Sequence, residues 1–335
     1  MCFFLDIDHV SIIEKTPMKN ADVTIVFRAL NEEKYFEQAL QACRAQVLDD
    51  LTLDIVLVDS GSTDRTLKIA EKYECQIVHI PKHEFSFGRS LNWGCEAAQG
   101  DYLIFISAHC IPTHDRWLQN LIQPLIDNKA VYSYGRQLGN ESSKFSEKQL
   151  FAKYFPDYDK CPQEGFFVNN ANSAIKKKSW KVFKFDEDVT GLEDMVLGKQ
   201  LVAAGEKIAY IANAPVTHIH EETFRQVKRR YYREALTLRS VLPEVHMNFF
   251  DFVRYSAAGI SHDFSVAIEQ KTLLKNMGEI TLFRIMQFWG SYRGQNENRK
   301  LSRAQKENYY YPRVKKPSAS HRSSESQNLE NVQAE

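Results

Sequence analysis

The sequence predicts an α/β fold: a mostly parallel sheet flanked by helices, with a helical extension at its C-terminal end. Three observations carry this expectation. From Val23 to Pro112, short β-branched and apolar runs alternate with stretches of helical periodicity. The first strands each stop abruptly at a polar cluster. Beyond about residue 222 the strand pattern gives way to long helical stretches rich in aromatic and basic residues.

Val23–Ala29 (Val-Thr-Ile-Val-Phe-Arg-Ala) is the first strand, and Tyr35–Ala45 carries apolar residues at helical spacing. Asp54–Asp59 is the second strand; it breaks at Ser60-Gly61-Ser62-Thr63-Asp64 before helical periodicity resumes over Thr66–Tyr73, with Asp64 placed to cap that helix. Gln76–Ile80 is a third short strand and Ser90–Ala98 a helix. Tyr102–Ile106 is apolar throughout, as in a strand buried on both faces of a parallel sheet, and Pro112 is expected to stop further ladder pairing. Trp117–Ile126 reads as a helix and Ala130–Arg136 as a strand, whereas Gly139–Gly165 shows no clean periodicity. Phe167–Ser173 reads as a loop. Glu193–Ala204 is a helix ended by Gly205, Lys207–Ile211 and Val216–His220 are short strands, and Thr223–Val241 and Gln270–Trp289 are helices. Ser318–Glu335 lacks the apolar content to fold.

Composition excludes several classes. The chain has 335 residues, 43% hydrophobic and 26% charged, which suits a globular protein with one large domain, or with one domain plus a smaller appendage. Lys+Arg and Asp+Glu both number 43, so no global basic field points to nucleic acid as a partner. Six cysteines form no C-x-x-C pair, giving neither a disulfide framework nor a zinc knuckle, and suggest a reducing compartment. Met1–Asp8 has an apolar patch without a basic region before it, so no signal peptide is expected, and no uncharged run approaches a membrane span. The expectation is a cytoplasmic protein, able to sit at the inner face of the membrane.

In open α/β sheets ligands collect at the carboxyl ends of parallel strands. Four clusters leave that edge: Arg28–Glu32, Asp59–Asp64, Phe85–Asn92 and Ser107–Cys110. A carboxylate such as Asp59 can accept the N3–H of a pyrimidine, and Arg28 and Arg89 can meet a phosphate. Gly61 permits a tight turn. Neither G-x-G-x-x-G nor a P-loop motif is present. Each residue also has a plain structural role open to it: Asp64 as a cap, Arg89 in a surface ion pair, Asn92 in a turn. The amides of Asn169, Asn170 and Asn172 suit hydrogen bonds to acceptor hydroxyls, and equally ordinary turn chemistry.

Three segments together resemble the family 2 glycosyltransferases of GT-A fold. They are Val-Phe-Arg-Ala-Leu-Asn-Glu-Glu from Val26, Val-Asp-Ser-Gly-Ser-Thr-Asp from Val58, and Asn-Trp-Gly-Cys-Glu-Ala-Ala-Gln-Gly-Asp-Tyr-Leu from Asn92. The resemblance continues through Gly191-Leu192-Glu193-Asp194 to His218, covering about residues 21–220, and is of the bacterial cell-surface polysaccharide type. It implies a Rossmann-like GT-A domain over 21–222, with a nucleotide-binding half at 21–112 and an acceptor half at 113–222. An N-terminal extension (1–20), a helical extension (223–300) and an unfolded tail (301–335) would surround it. It implies a nucleotide-sugar donor, bound by Asp59 at the base, Arg28, Asn31, Glu32, Gly61 and Ser62 around the nucleotide, and Arg89, Asn92, Ser107 and His109 toward the diphosphate and sugar. Asp194 would be the general base, with Glu193 beside it. The alternative for both acids is to complement the helix dipole.

One departure stands out. Where the resemblance implies an Asp-x-Asp whose last carboxylate binds a divalent metal, this chain has Ser107, Ala108 and His109. His109, with His218 at the family's later histidine, would form a metal site favouring Mn²⁺ over Mg²⁺. The alternative uses no metal, with His109 bonding phosphate directly. Arg225–Arg233 is basic and aromatic: a solvated helix face, or a contact for the headgroups of a lipid-linked acceptor. The expected function is inverting sugar transfer to a glycan or lipid-linked glycan. The alternative is a non-catalytic glycosyltransferase-like module that binds a nucleotide or a partner.

Overall fold

Strand β1 (Val23–Ala29) shows how the sheet is built. Val23, Ile25 and Phe27 enter one apolar core while Val26 enters another, as a side-chain period of two requires. The same split runs through β2 (Leu53–Asp59) and β4 (Tyr102–Ile106). Ile55, Leu57 and Ile104 share the first core, and Val56, Val58, Leu103 and Phe105 the second. Both faces of these strands are therefore covered, which is why they read as unbroken apolar runs. Helices α1 (Phe36–Arg44) and α2 (Thr66–Lys72) close the first core, and α3 (Phe87–Ala97) lies on the second. Strand β3 (Gln76–His79) forms one edge.

The structure, a computed structural model, describes residues 21–297; the expected extension over 1–20 and tail over 301–335 lie outside the described residues. The chain continues through β5 (Cys110–Pro112), α4 (Trp117–Ile126), β6 (Tyr132–Leu138), α5 (Phe145–Tyr154), β7 (Asn172–Lys176), α6 (Lys177–Phe183), α7 (Glu193–Ala203) and β8 (Ile208–His218). The eight strands form one sheet in the order β3-β2-β1-β4-β7-β6-β8-β5. The first four run parallel; β7 is antiparallel to both β4 and β6, β6 runs parallel to β8, and β5 is antiparallel to β8. The sheet is thus more mixed than its first half predicts.

The reversal at β7 positions the site. Because Asn172 pairs with Ile106, the start of β7 sits at the carboxyl end of β4, and the preceding loop joins the ligand edge. Phe167–Ser173 is accordingly a loop only in part. Pro112 does not end pairing either: it sits opposite Val216 on β5, the outermost strand, where a missing N–H is tolerated. This pairing aligns Cys110 with His218, and Ile219 N–H donates to His109 O at 3.1 Å.

Helices α8 (Phe224–Val241), α9 (Phe249–Glu269) and α10 (Leu273–Gln295) follow. Capping boxes start α8 at Thr223 and α9 at Asn248. Helix α10 crosses α8 at Gly290 and Gly294, where an added Cβ would fall 2.4 Å from Lys228 O and 2.3 Å from Tyr232 O. Arg284 donates to both oxygens of Asp263 at 2.7 Å, pinning α10 to α9. Phe145 N–H donates to Glu279 at 2.7 Å, tying α5 to α10. Among the described residues, no helix is long and apolar enough to cross a membrane.

Candidate active site

Asp59 ends β2 at the ligand edge. Its buried carboxylate accepts the N–H groups of Gly61 (2.9 Å) and Ser62 (3.2 Å), with Gly61 at φ +95°. Ser62 Oγ accepts from Asn31 N–H at 3.0 Å, and Asn31 Oδ1 accepts from Thr63 N–H at 2.8 Å. Asp64 accepts from Thr66 N–H (2.9 Å) and Glu33 N–H (3.1 Å). It therefore serves the head of α2 as expected, although Arg65 occupies the cap position itself. Burial pushes the Asp64 carboxyl up, but these hydrogen bonds outweigh it and hold it below the usual range. The two loops thus brace each other into a cradle.

Opposite the cradle, Leu192 adopts a left-handed conformation (φ 56°) and starts α7 without a side-chain cap. Glu193 and Asp194 follow, both buried. Glu193 Oε1 receives Arg28 Nη1 at 3.0 Å, bridging the end of β1 to the head of α7, and Arg28 also donates to Phe87 O at 2.9 Å. Asp194 accepts from Asn170 N–H at 2.9 Å and from its own neighbour Met195 N–H at 2.8 Å. Burial first, and the Glu193 charge second, push Asp194 up to about 7. Asn170 Oδ1 accepts from Ser173 Oγ at 2.7 Å and from Tyr132, while its Nδ2 is buried without a partner.

His109, His218 and His220 cluster beside Glu32 of the cradle. Glu32 Oε2 faces His109 Nδ1 at 3.3 Å, Gln137 Oε1 faces His218 Nδ1 at 2.7 Å, and Glu147 Oε1 faces His220 Nδ1 at 2.7 Å. Burial chiefly, with neighbouring His220 for the one and Arg230 for the other, pushes His218 and His220 well below the usual histidine range.

The structure gathers Arg28, Asn31, Glu32, Gly61, Ser62, His109, Asn170, Glu193, Asp194 and His218 along this edge, with Asp59 beneath its turn. Ser107 holds the turn before β5, its carbonyl accepting Cys110 N–H at 2.9 Å. Asn169 reaches the site indirectly, through Gln137 Nε2 at 3.0 Å. Three expected residues serve elsewhere. Asn172 is fully buried, accepting from Trp117 Nε1 (3.0 Å) and donating to Arg136 O (3.0 Å) and Ala214 O (2.8 Å). Asn92 is buried against Phe185, Glu187 and Trp180. Arg89 pairs with Glu187 at 2.6 Å. Two members of the basic run of α8 turn inward, while Arg225 is exposed: Arg230 bridges Glu147 and Glu222, and Arg233 lies 4.8 Å from the Phe87 ring, which also carries the Arg28 guanidinium at 5.0 Å.

The chain is similar to known proteins in sequence and in fold. The family profile described as Glycosyl transferase family 2 matches residues 24–183. The chain carries a family 2 glycosyltransferase domain. It is 27% identical over 191 residues to the O-antigen chain rhamnosyltransferase WbaN of Salmonella anatum, covering 53% of this chain and 60% of that protein. It is 25% identical over 223 residues to the O-antigen chain rhamnosyltransferase RfbN of Salmonella typhimurium, covering 63% and 70%. The chain thus spans about 60% of the length of the first relative. The fold is that of the mannosyltransferase PcManGT from Pyrobaculum calidifontis, solved in complex with GDP-Man and Mn²⁺: TM-score 0.58, 14% identity, 88% and 92% of the two chains covered. The GT-A fold expected from the sequence is therefore the observed one.

Sequence reasoning missed Glu147, which lies inside the matched segment, and His220, which lies beyond it, and took Arg233 only as part of the basic run of residues 225–233. His218-Ile219-His220 did carry a signal, since residues two apart at a strand end share a face. Glu147 sits on α5, inside a segment without periodicity, and nothing local betrays it. The histidines gathered beside the Ser-Ala-His turn fit a cation on one observation: His218 Nε2 is buried with no hydrogen-bond partner. With Nδ1 facing Gln137, that atom is the one left to bind.

Proposed function

We propose that the protein transfers a sugar from a nucleotide-activated donor to a glycan or lipid-linked glycan, by a single displacement that inverts the anomeric centre. The observation that carries this reading is Asp194, a buried carboxylate pushed up to about 7, held by Asn170 N–H at the edge that also presents the cradle. A base poised near neutrality is suited to accept a hydroxyl proton. The acceptor oxygen then attacks the anomeric carbon as the bond to phosphate breaks and the nucleoside diphosphate leaves. The Asn170 amide, whose Nδ2 lacks a protein partner, suits an acceptor hydroxyl beside that carboxylate.

The Asn31 and Gly61–Ser62 turns would receive the nucleotide, with Asp59 shaping them from below. Arg28 and Arg233, both stacked on the Phe87 ring, would supply positive charge for the diphosphate in place of Arg89. A divalent cation held by His109 and His218 would neutralise further charge on the leaving group. The names of both Salmonella relatives support a surface polysaccharide as the product, and rhamnose as the first sugar to test.

Loss of both Asp-x-Asp carboxylates favours a second reading, a module that binds a nucleotide without turning it over. Release of nucleoside diphosphate from nucleotide-activated sugars, with and without polysaccharide acceptor, separates the two. Turnover by wild type that Asp194→Asn abolishes supports transfer; nucleotide binding without turnover by wild type supports the second reading.

A further inference from the structure

His109, His218 and His220 each offer a ring nitrogen within 4.8 Å of the other two. The His218 and His220 ring centroids are 3.9 Å apart, and His109 stacks on His218 at 5.2 Å. Behind every ring stands an oxygen acceptor on Nδ1: Glu32, Gln137 and Glu147 respectively. A neutral imidazole that donates through Nδ1 carries its lone pair on Nε2. Oxygen acceptors behind imidazoles are the usual means of fixing that tautomer in metal sites. The unpartnered buried Nε2 of His218 shows directly that one of these lone pairs meets no protein donor.

We propose that His220 completes a three-imidazole centre with His109 and His218 for one divalent transition ion, and that Glu32, Gln137 and Glu147 hold the rings in the ligating tautomer. Two of these ligands rest on the metal reading above; none depends on sugar transfer. Three neutral nitrogen donors favour Co²⁺ and Zn²⁺ over Mn²⁺, and Mg²⁺, which demands oxygen ligands, least. A neighbouring group, Glu147, His220 and Glu222, also has ligand atoms within 4.8 Å. There Arg230 Nη2 already lies 2.9 Å from Glu147 and 2.8 Å from Glu222, so a cation is built into that cluster. Arg230 thereby anchors Glu147, and through it His220, to α8.

The test is titration of the full chain, stripped with a chelator, with Co²⁺, Zn²⁺ or Mg²⁺ alone, followed by calorimetry and by Co²⁺ visible absorption. The expected result is one Co²⁺ or Zn²⁺ per chain and no Mg²⁺ at equal concentration. His220→Ala and His109→Ala should each weaken Co²⁺ binding about 100-fold, and Glu147→Gln about 10-fold. Glu222→Gln should leave it unchanged. Thermal melts of each variant report folding; should His220→Ala not fold, half-exposed His109 and the conservative Glu147→Gln carry the test. Absence of ion binding by wild type overturns the proposal. So does unchanged affinity in folded His220→Ala, or loss in Glu222→Gln with none in His109→Ala. Ion binding without sugar transfer leaves this centre standing and removes the proposed activity; transfer without ion binding does the reverse.

Discussion

Asp64 and Asp194 stand at the heads of two helices, and the protein treats their carboxylates in opposite ways. Asp64 accepts N–H groups from two different loops and is held below the usual range. Asp194 is more deeply enclosed, has an acid as its immediate neighbour, and is pushed up to about 7. The difference separates a carboxylate that holds structure from one that can exchange a proton near neutrality. Residue type and helix position alone do not distinguish them; surroundings do.

The largest expected effect tests the reactive member of the pair. Asp194→Asn should lower transfer by roughly 10²–10⁴-fold while leaving nucleotide affinity nearly unchanged. Wild-type transfer should rise as pH rises through about 7, because the base must be ionised to work. Stability carries the opposite sign. With a folded value of about 7 against an ordinary value of 3.8, the folded state holds the proton that the unfolded chain has lost, so stability falls as pH rises between them. Urea melts at pH 5 and pH 8 should therefore show Asp194→Asn gaining on wild type at the higher pH. Transfer that is flat from pH 5 to 8, or equal in the two proteins, removes Asp194 from the base role.

Next in size is Asn172, which the comparison places on the structural side. Replacement by alanine removes the partners of Trp117 Nε1, Arg136 O and Ala214 O. A loss of about 3 kcal/mol in urea unfolding is expected, since each buried polar group left unpaired costs about 1–3 kcal/mol. A raised acceptor KM without loss of stability would return Asn172 to the acceptor site.

What could be read in the chain divides along similar lines. The cradle was legible because Asp59, Gly61, Ser62 and Asp64 act within a few residues of one another, where turn and cap chemistry is local. Strands β1, β2 and β4 were legible because burial on both faces leaves an unbroken apolar run. Strand β7 was not: Asn172 is a buried polar residue whose partners come from distant elements, and Ser173 bonds to Asn170 three residues back as a turn residue would, so the segment resembles a loop. Helix α5 hides for a related reason, its buried Glu147 interrupting the apolar pattern while serving His220 and Arg230. Arg230 and Arg233 read as a solvated face because their acidic and aromatic partners lie on other elements.

A smaller effect tests the structural member of the pair. Asp64→Ala should cost about 0.5–2 kcal/mol, as loss of a helix-cap acceptor does, and should loosen the loop that carries Asn31 and Glu32. Because its folded value is lowered, its contribution is present in full above the ordinary value of 3.8 and is lost as pH falls below that and through the lower folded value. A difference from wild type that disappears in acid is the signature; one that persists at low pH would mean the carboxylate is not the stabilising form.

The smallest effect decides where the donor's charge is met. Arg89 Nε lies 2.6 Å from Glu187, both side chains are more than a third exposed, and Arg89 also donates to Glu84 O at 2.9 Å. An exposed pair of this kind is worth about 0–1 kcal/mol, so Arg89→Gln should scarcely move the melting point. If Arg28 and Arg233 meet the diphosphate, the same variant should also leave the donor KM within about twofold, an allowance set by the small energy of such pairs. Arg233→Gln should raise that KM about tenfold or more, the scale of one lost charge-assisted hydrogen bond. The measurement is donor KM for the two variants side by side. An Arg89→Gln defect as large as that of Arg233→Gln would place Arg89 back on the diphosphate and make its contact with Glu187 a resting arrangement that the donor displaces.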